Sequence, residues 1–317
     1  MDFTINQYTL LLQSFKQANF NFQTFAQQGF NKGGQKLIIL RHDVDLLPQN
    51  ALQFARIQAD LSIKGSYYFR IVPESFNEKI ILEIAPLGHE IGYHYETMDT
   101  SGEKEKGKRK KEKVEVKRRS RKAEENGGKE NQNEKLIDLA YEEFCKNLET
   151  FRKLVPIKTI CMHGSPRSPY DNREIWKKYN YRDLGITGEP YFDTDFSKVA
   201  YYTDTGRMWD GNKYIVRDRI PNSQFSPSLF PFSFFLFPSP FSPFPSPFPS
   251  YHTTRQIIHA VNTNTFPEKA MLTFHPQRWT DRPVPWMQEL VVQGVKNIVK
   301  KWFFVKTLWK IISKENL

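Results

Sequence analysis

Cysteine is nearly absent: Cys145 and Cys161 are the two in 317 residues. They form no Cys-x-x-Cys pair and are too few for a disulfide framework. The N-terminus has no basic stretch leading into an apolar core, so no secretory signal is read. No apolar run free of proline reaches the roughly 20 residues a spanning helix needs, and no segment repeats at a fixed period. A disulfide-stapled secreted module and a membrane-spanning protein are thereby excluded, and a reducing cytoplasm is the expected location. Oligomeric state leaves no trace in the pattern.

The charge balance is also less one-sided than it looks. The net charge is +11, but residues 103–135 hold 14 Lys/Arg and 8 Glu and so account for +6 of it. A mixed Lys/Glu run is usually solvated chain, so no nucleic-acid partner is expected. The run from Gly102 to Asn133 has no apolar periodicity, and its composition predicts a disordered charged insert. From Phe225 to Ser250 the chain is almost only Phe, Ser, Pro and Leu. Its prolines forbid a helix and remove strand donors. Lys, Glu, Arg and Gly share purine codons while Phe, Ser, Pro and Leu share pyrimidine ones, which marks both segments as low-complexity insertions within one domain spanning 1–317. Both are expected to be dispensable, because lengthening a loop costs little entropy. What remains, roughly 260 residues, suits one α/β barrel.

The remainder alternates in period. Lys36–Leu40 is a short apolar run of the kind buried on both faces of a parallel sheet. Asn50–Leu61 reads as a helix, 65–72 as a strand, Asn77–Leu87 as a helix stopped at Gly88, and Glu90–Tyr95 as a strand. Leu136–Leu154 follows as an amphipathic helix and Ile157–His163 as a strand. Short strands are expected at 183–187, 199–203 and 214–217, then a helix at Thr253–Asn262 and a strand at Ala270–His275. Val284–Ile312 completes the chain as a long helix with apolar residues at Met287, Leu290, Val291, Val295, Ile298, Val299, Trp302, Val305, Trp309 and Ile312, and lysines opposite. Packing against the core is the commoner cause of such a stripe, although a membrane-surface helix has the same pattern.

Chemistry concentrates where predicted strands end, which is where α/β enzymes keep it. Arg41-His-Asp-Val-Asp45 follows the first strand. Asp43 and Asp45 share one face of an extended segment and His42 points the other way. Two carboxylates on one face repel unless a cation lies between them, and a divalent metal is the usual one. His94, His163 and His275 each end a predicted strand, so three histidines and the Asp pair converge on one rim.

The order of Arg41-His-Asp-Val-Asp45, Gly88-His-Glu-Ile-Gly-Tyr-His94 and Leu272-Thr-Phe-His275 resembles the polysaccharide deacetylases of the NodB-homology type. Further segments resemble one branch of that family: Tyr93-His-Tyr-Glu96, Met162-His-Gly-Ser-Pro166, Tyr170-Asp-Asn-Arg173, Gly188-Glu-Pro-Tyr191, Thr203-Asp-Thr-Gly-Arg-Met-Trp209 and His275-Pro-Gln-Arg-Trp279. The resemblance runs from about residue 36 to 300. It implies a distorted (β/α) barrel holding one divalent metal ion, usually zinc, and hydrolysing acyl groups on a carbohydrate substrate. By position, Asp43 is the expected general base, Asp45 and His94 are metal ligands, and His275 is the acid that protonates the leaving amine. The family's second metal histidine falls at Met98, a poor zinc ligand, so Glu96 and His163 are candidates to complete the set. His89 is less favoured because it lies on the opposite strand face. Arg167, Arg173 or Arg207 would orient the base, and Arg207, Trp209, Trp279 and Tyr191 are expected to bind the sugar.

Two other functions fit parts of the chain. A degenerate barrel that binds a glycan or sugar nucleotide without hydrolysis is suggested by Met98 and the aromatics. A thiol hydrolase is suggested by Cys161 and His163 on one strand face, against which stands the expected burial of the thiol.

Overall fold

An eight-residue strand buried along its whole length, β2 (Leu37–Val44), organises the fold. The computed structural model describes residues 1–27, 35–116, 129–164, 168–210 and 247–298. In chain order the other strands are β1 (Asn21–Gln23), β3 (Ser66–Phe69), β4 (Glu90–Tyr95), β5 (Ile160–Met162), β6 (Ala200–Thr203) and β7 (Lys269–Phe274). Every pairing is parallel, in the order β5-β4-β3-β2-β7-β6. On one edge β2 pairs first with β1, at Leu37 to Ile39, and then with β3, at Arg41 to Val44. The parallel sheet curls into a half-barrel, an α/β architecture compatible with a (β/α) barrel.

Helices fill the crossovers as parallel pairing requires. α1 (Ile5–Gln17) precedes the sheet. α2 (Pro48–Asp60) joins β2 to β3, and α3 (Glu78–Ile84) joins β3 to β4. α4 (Thr97–Val116) and α5 (Lys129–Arg152) lie between β4 and β5, with the short α6 (Pro190–Asp193) before β6 and α7 (Thr254–Asn262) before β7. Asn77 caps α3 by accepting from the Ile80 amide, and Thr253 caps α7 in a reciprocal box with Gln256. Gly92 in β4 is obligatory, because a Cβ there would stand 2.4 Å from the Tyr68 ring.

Three elements differ from expectation. α1 occupies a region to which the pattern assigned nothing, and its Tyr8, Leu11, Leu12 and Phe15 are buried. Residues 102–116 and 129–133 of the expected disordered insert are helical, since Lys, Glu and Arg are good helix formers; residues 117–128 lie outside the described part. Thr100 and Ser101 bond the Glu143 carboxylate, and a Cβ on Gly102 would meet the Tyr170 ring, so the insert does not begin as passive loop. The strand expected at 183–187 is a 3-10 turn at Tyr181–Leu184 followed by a single bridge from Thr159 to Gly188. The strand at 214–217 and most of 225–250 fall outside the described residues.

β2 alternates its polar residues between faces, and one face carries a closed network. The His42 ring is fully buried, donating from Nδ1 to the Ser66 carbonyl (3.1 Å). Its Nε2 lies 3.1 Å from the Tyr8 hydroxyl and 2.9 Å from Gln58 Nε2. Tyr67 donates to Gln58 Oε1 and its ring stacks on His42 at 4.1 Å. α1 and α2 are thus fastened to the sheet through one imidazole. Burial drives its pKa down to about 3, outweighing the bond to Ser66, which favours the charged form. The unfolded chain therefore binds the extra proton between about 6.5 and 3, and stability falls as pH drops through that window. By pH 5 this ring alone accounts for a loss on the order of 2 kcal/mol. Urea unfolding at pH 7, 6 and 5 checks it: a His42→Gln variant, weaker at pH 7, shows a shallower decline than the unaltered chain.

Candidate metal centre

The carboxyl ends of the parallel strands deliver Asp43 and Asp45 from β2, His94 and Glu96 from β4, His163 from just past β5, Asp204 from β6 and His275 from β7. All stand on one rim because side chains ending neighbouring parallel strands lie next to each other. At its centre Asp45 Oδ1 lies 3.6 Å from His94 Nε2 and 3.6 Å from His163 Nε2. These three residues form a group whose ligand atoms are all within 4.8 Å of one another. Bonds of 2.0–2.1 Å at a tetrahedral angle place two ligand atoms about 3.3 Å apart, so the spacing suits a divalent ion. Asp45 Oδ1 is buried and accepts no hydrogen bond, an uncommon state for a carboxylate oxygen. The donor set fits a metal with borderline preference, two imidazoles and a carboxylate.

His94 is held from behind by a hydrogen bond, the arrangement metal histidines require, while His163 faces a carboxylate at ion-pair distance without hydrogen-bond alignment. His94 Nδ1 donates to the Cys161 carbonyl at 2.9 Å, leaving the Nε2 lone pair towards Asp45. Burial lowers its pKa to about 4, against the opposing pull of Asp43, so the ring is neutral and able to coordinate. His163 Nδ1 stands 3.1 Å from Glu96 Oε2. Burial disfavours the imidazolium there, but Glu96 and Asp45 outweigh it and raise the pKa, so a cation at Nε2 would compete with a proton for that lone pair.

Glu96, expected as a ligand, stands on the other side of His163 from Asp45, where with Asp99 and His163 it forms a second group that could hold a metal ion. Its two oxygens are also taken by Arg70, at 2.9 Å and 2.7 Å. The reason is the strand pleat: Glu96 shares the His94 face but lies one step further along, where Arg70 from the end of β3 meets it. Met98 is buried in the core, and His163 from the adjacent strand comes to the rim where the family's spacing would have supplied a second histidine. His89 is structural, accepting from the Gly65 amide and bonding the Ala55 carbonyl.

Asp43 is gripped by a neighbour two residues away. Arg41 Nε and Nη2 donate to its two oxygens at 2.8 Å and 2.6 Å. Burial pushes this carboxyl up, but Arg41 and then His94 outweigh it and hold it well below the usual carboxylate range. Asp43 Oδ2 is 3.9 Å from His94 Nε2, on the edge of the metal group. The orienting cation is thus Arg41, and not one of the three arginines expected. Arg173 pairs with Asp171, Arg207 stacks between Phe3 and Trp286, and Arg167 lies outside the described residues.

His275 occupies the other side. Its Nδ1 donates to Asp204 Oδ1 at 2.6 Å, and its Nε2 faces Asp45 Oδ2 at 3.9 Å. Asp204 is fully buried and also accepts from the His275 amide, Arg278 and Trp279 Nε1. Burial opposes its ionisation, but His275 and Arg278 prevail and its pKa is lowered. Asp204 was not singled out from the sequence. Its place one residue beyond the predicted strand ending at Thr203 was the available signal, as Arg41's was its position two residues before Asp43.

The residues expected to bind sugar need correction. Trp279 and Trp209 are buried in one aromatic cluster with Phe3 and Phe274. The Tyr191 hydroxyl accepts from Arg41 Nη2 and its ring lies under that guanidinium at 4.9 Å. None offers a face to a ligand, because each is consumed in packing the floor and flank of the site. Glu189 is likewise internal: it accepts from the Met162, Tyr191 and Phe192 amides, and burial, against those bonds and the nearby Arg41, raises its pKa to about 7. Cys161 is fully buried, as expected of an inert thiol.

Because Glu96 faces His163 and makes it more basic, Glu96→Gln is expected to weaken divalent-metal binding about 10- to 100-fold. Competition against a chelator of known affinity, at pH 7.5, measures this; an unchanged affinity would show that Glu96 does not serve the imidazole.

Among the described residues no helix is long and apolar enough to cross a membrane. Comparison with protein-family models, with curated proteins and with solved structures finds no match to this chain.

Proposed function

We propose that the chain is a metal-dependent hydrolase that removes acyl groups from a carbohydrate, as the resemblance to polysaccharide deacetylases implies. The observation that carries this reading is the placement of Asp43 and His275 on two sides of the Asp45, His94 and His163 group. A divalent cation held by those three would act as a Lewis acid towards an acyl oxygen and make a water molecule more acidic. The chain's own residues then divide the proton transfers. Asp43, kept ionised and aimed by Arg41, takes a proton from the attacking water. His275, with Nδ1 fixed by Asp204, presents Nε2 for delivery of a proton to the departing amine or alcohol as the acyl bond breaks. The Arg41 and Asp204 pairings fix both groups by buried charged bonds, so neither must be ordered when substrate arrives. The carbohydrate part of the reading rests on the resemblance alone. A barrel that binds a glycan or sugar nucleotide without hydrolysis is the second reading, motivated by Met98 at the position of the family's second metal histidine; Trp209 and Trp279, which had also suggested it, are buried.

Metal analysis and an acyl-sugar panel test the reading together. About one zinc or similar ion per chain is expected, and His163→Ala or His94→Ala should lose it. Asp43→Asn should keep the ion while lowering acyl release by about 10²- to 10⁴-fold, and His275→Gln should do the same. Protein that holds metal and binds acylated sugars yet releases no acid from any of them would replace hydrolysis with glycan binding.

A further inference from the structure

The helix over residues 283–298 packs with its amphipathicity reversed. Its inward edge is polar: Gln293 is buried and bonded to Asn297, whose Nδ2 donates to the Gly206 carbonyl at 3.1 Å. Trp286 Nε1 donates to the Asp2 carbonyl at 2.7 Å, and the Arg207 guanidinium lies 4.8 Å over its ring. Its outward face carries Val284, Met287, Val291, Val295 and Ile298 at helical spacing, flanked by Leu290 and Val292, with exposures from 41% to 70%. A core-packing role, the expectation from sequence, is thereby overturned for these residues. Single exposed apolar side chains are ordinary, but seven contiguous ones mark an interaction surface.

The sequence around that face says what it would meet. From Lys296 to Lys314 there are six lysines and no acidic residue, interleaved with Trp302, Phe303, Phe304 and Trp309. An apolar face with aromatic residues and lysines along it is the composition that seats a helix in the plane of a lipid headgroup layer. Lysine attraction to anionic headgroups adds roughly 1 kcal/mol per residue near the surface. A second copy of the chain is the poorer partner, because pairing two such segments would bring lysines towards lysines with almost no carboxylate to balance them. We propose that the outward apolar face of residues 284–298, with the lysines that the sequence carries at and just after its end, docks the protein on a membrane surface carrying anionic phospholipid. This does not depend on the hydrolase reading.

Co-sedimentation of the full chain with vesicles tests it, comparing phosphatidylcholine alone with phosphatidylcholine and phosphatidylserine at 7:3, each at 50 mM and 500 mM salt. Binding is expected on the anionic vesicles at low salt and should weaken sharply at high salt. Val291→Glu with Val295→Glu, at two outward positions, should abolish it without changing the melting temperature. Lys296→Glu with Lys300→Glu should lower it by about tenfold or more. Failure to sediment with either vesicle, or equal sedimentation with both at both salts, overturns the proposal. So does a concentration-dependent dimer that Val291→Glu with Val295→Glu dissolves while vesicle binding is absent, which would assign the face to a second copy.

Discussion

A strand covered on both faces cannot leave a charge unpaired, and β2 carries two charged residues and a histidine at its buried end. Removing a carboxylate or guanidinium from water costs several kcal/mol per ion, and deleting one member of a buried pair typically costs about 3–5 kcal/mol. Arg41 and Asp43 meet this by bonding each other on one face, while His42 stays neutral within the Tyr8, Gln58 and Tyr67 network on the other. The rest of the molecule is built around those two solutions. α1 and α2 are held through the His42 face, and the candidate site is arranged around the Asp43 face.

The same constraint shapes the rim. Its imidazoles each have one nitrogen facing a backbone carbonyl or a carboxylate, by hydrogen bond for His94 and His275 and at ion-pair distance for His163. Carbonyl, glutamate and aspartate partners behind His94, His163 and His275 make three chemically different rings out of one residue type. His94 is neutral by burial, His163 is made more basic by Glu96, and His275 is locked by an aspartate that itself takes four donors. A metal-type group and a further, differently held imidazole therefore stand within one small rim.

Aromatic side chains take the opposite part to the one expected of them. Trp209, Trp279 and Tyr191 close the barrel flank and floor, and the Trp279 indole N–H is used to satisfy Asp204. Large rings with one polar atom are well suited to seal a buried carboxylate. The apolar residues that do face outwards are on the helix at 283–298, whose polar edge is spent on the body of the protein.

Strand and helix alternation, the parallel sheet, and the convergence of Asp43, Asp45, His94, His163 and His275 were legible in the sequence, because period-two and period-3.6 patterns and strand-end positions are local properties. α1 was not read despite its Thr4 cap, and α4 was mistaken for a structureless charged run because a helix of Lys and Glu shows no apolar period. Which arginine pairs with Asp43, whether Glu96 faces the metal group or backs His163, and that Asp204 holds His275 were decided by tertiary structure alone. Those choices depend on distances between residues up to 71 apart in sequence, as for Asp204 and His275. The direction of each amphipathic face is equally nonlocal: the stripe of residues 284–298 is written in the sequence, but only the packed chain determines that its polar edge turns inwards.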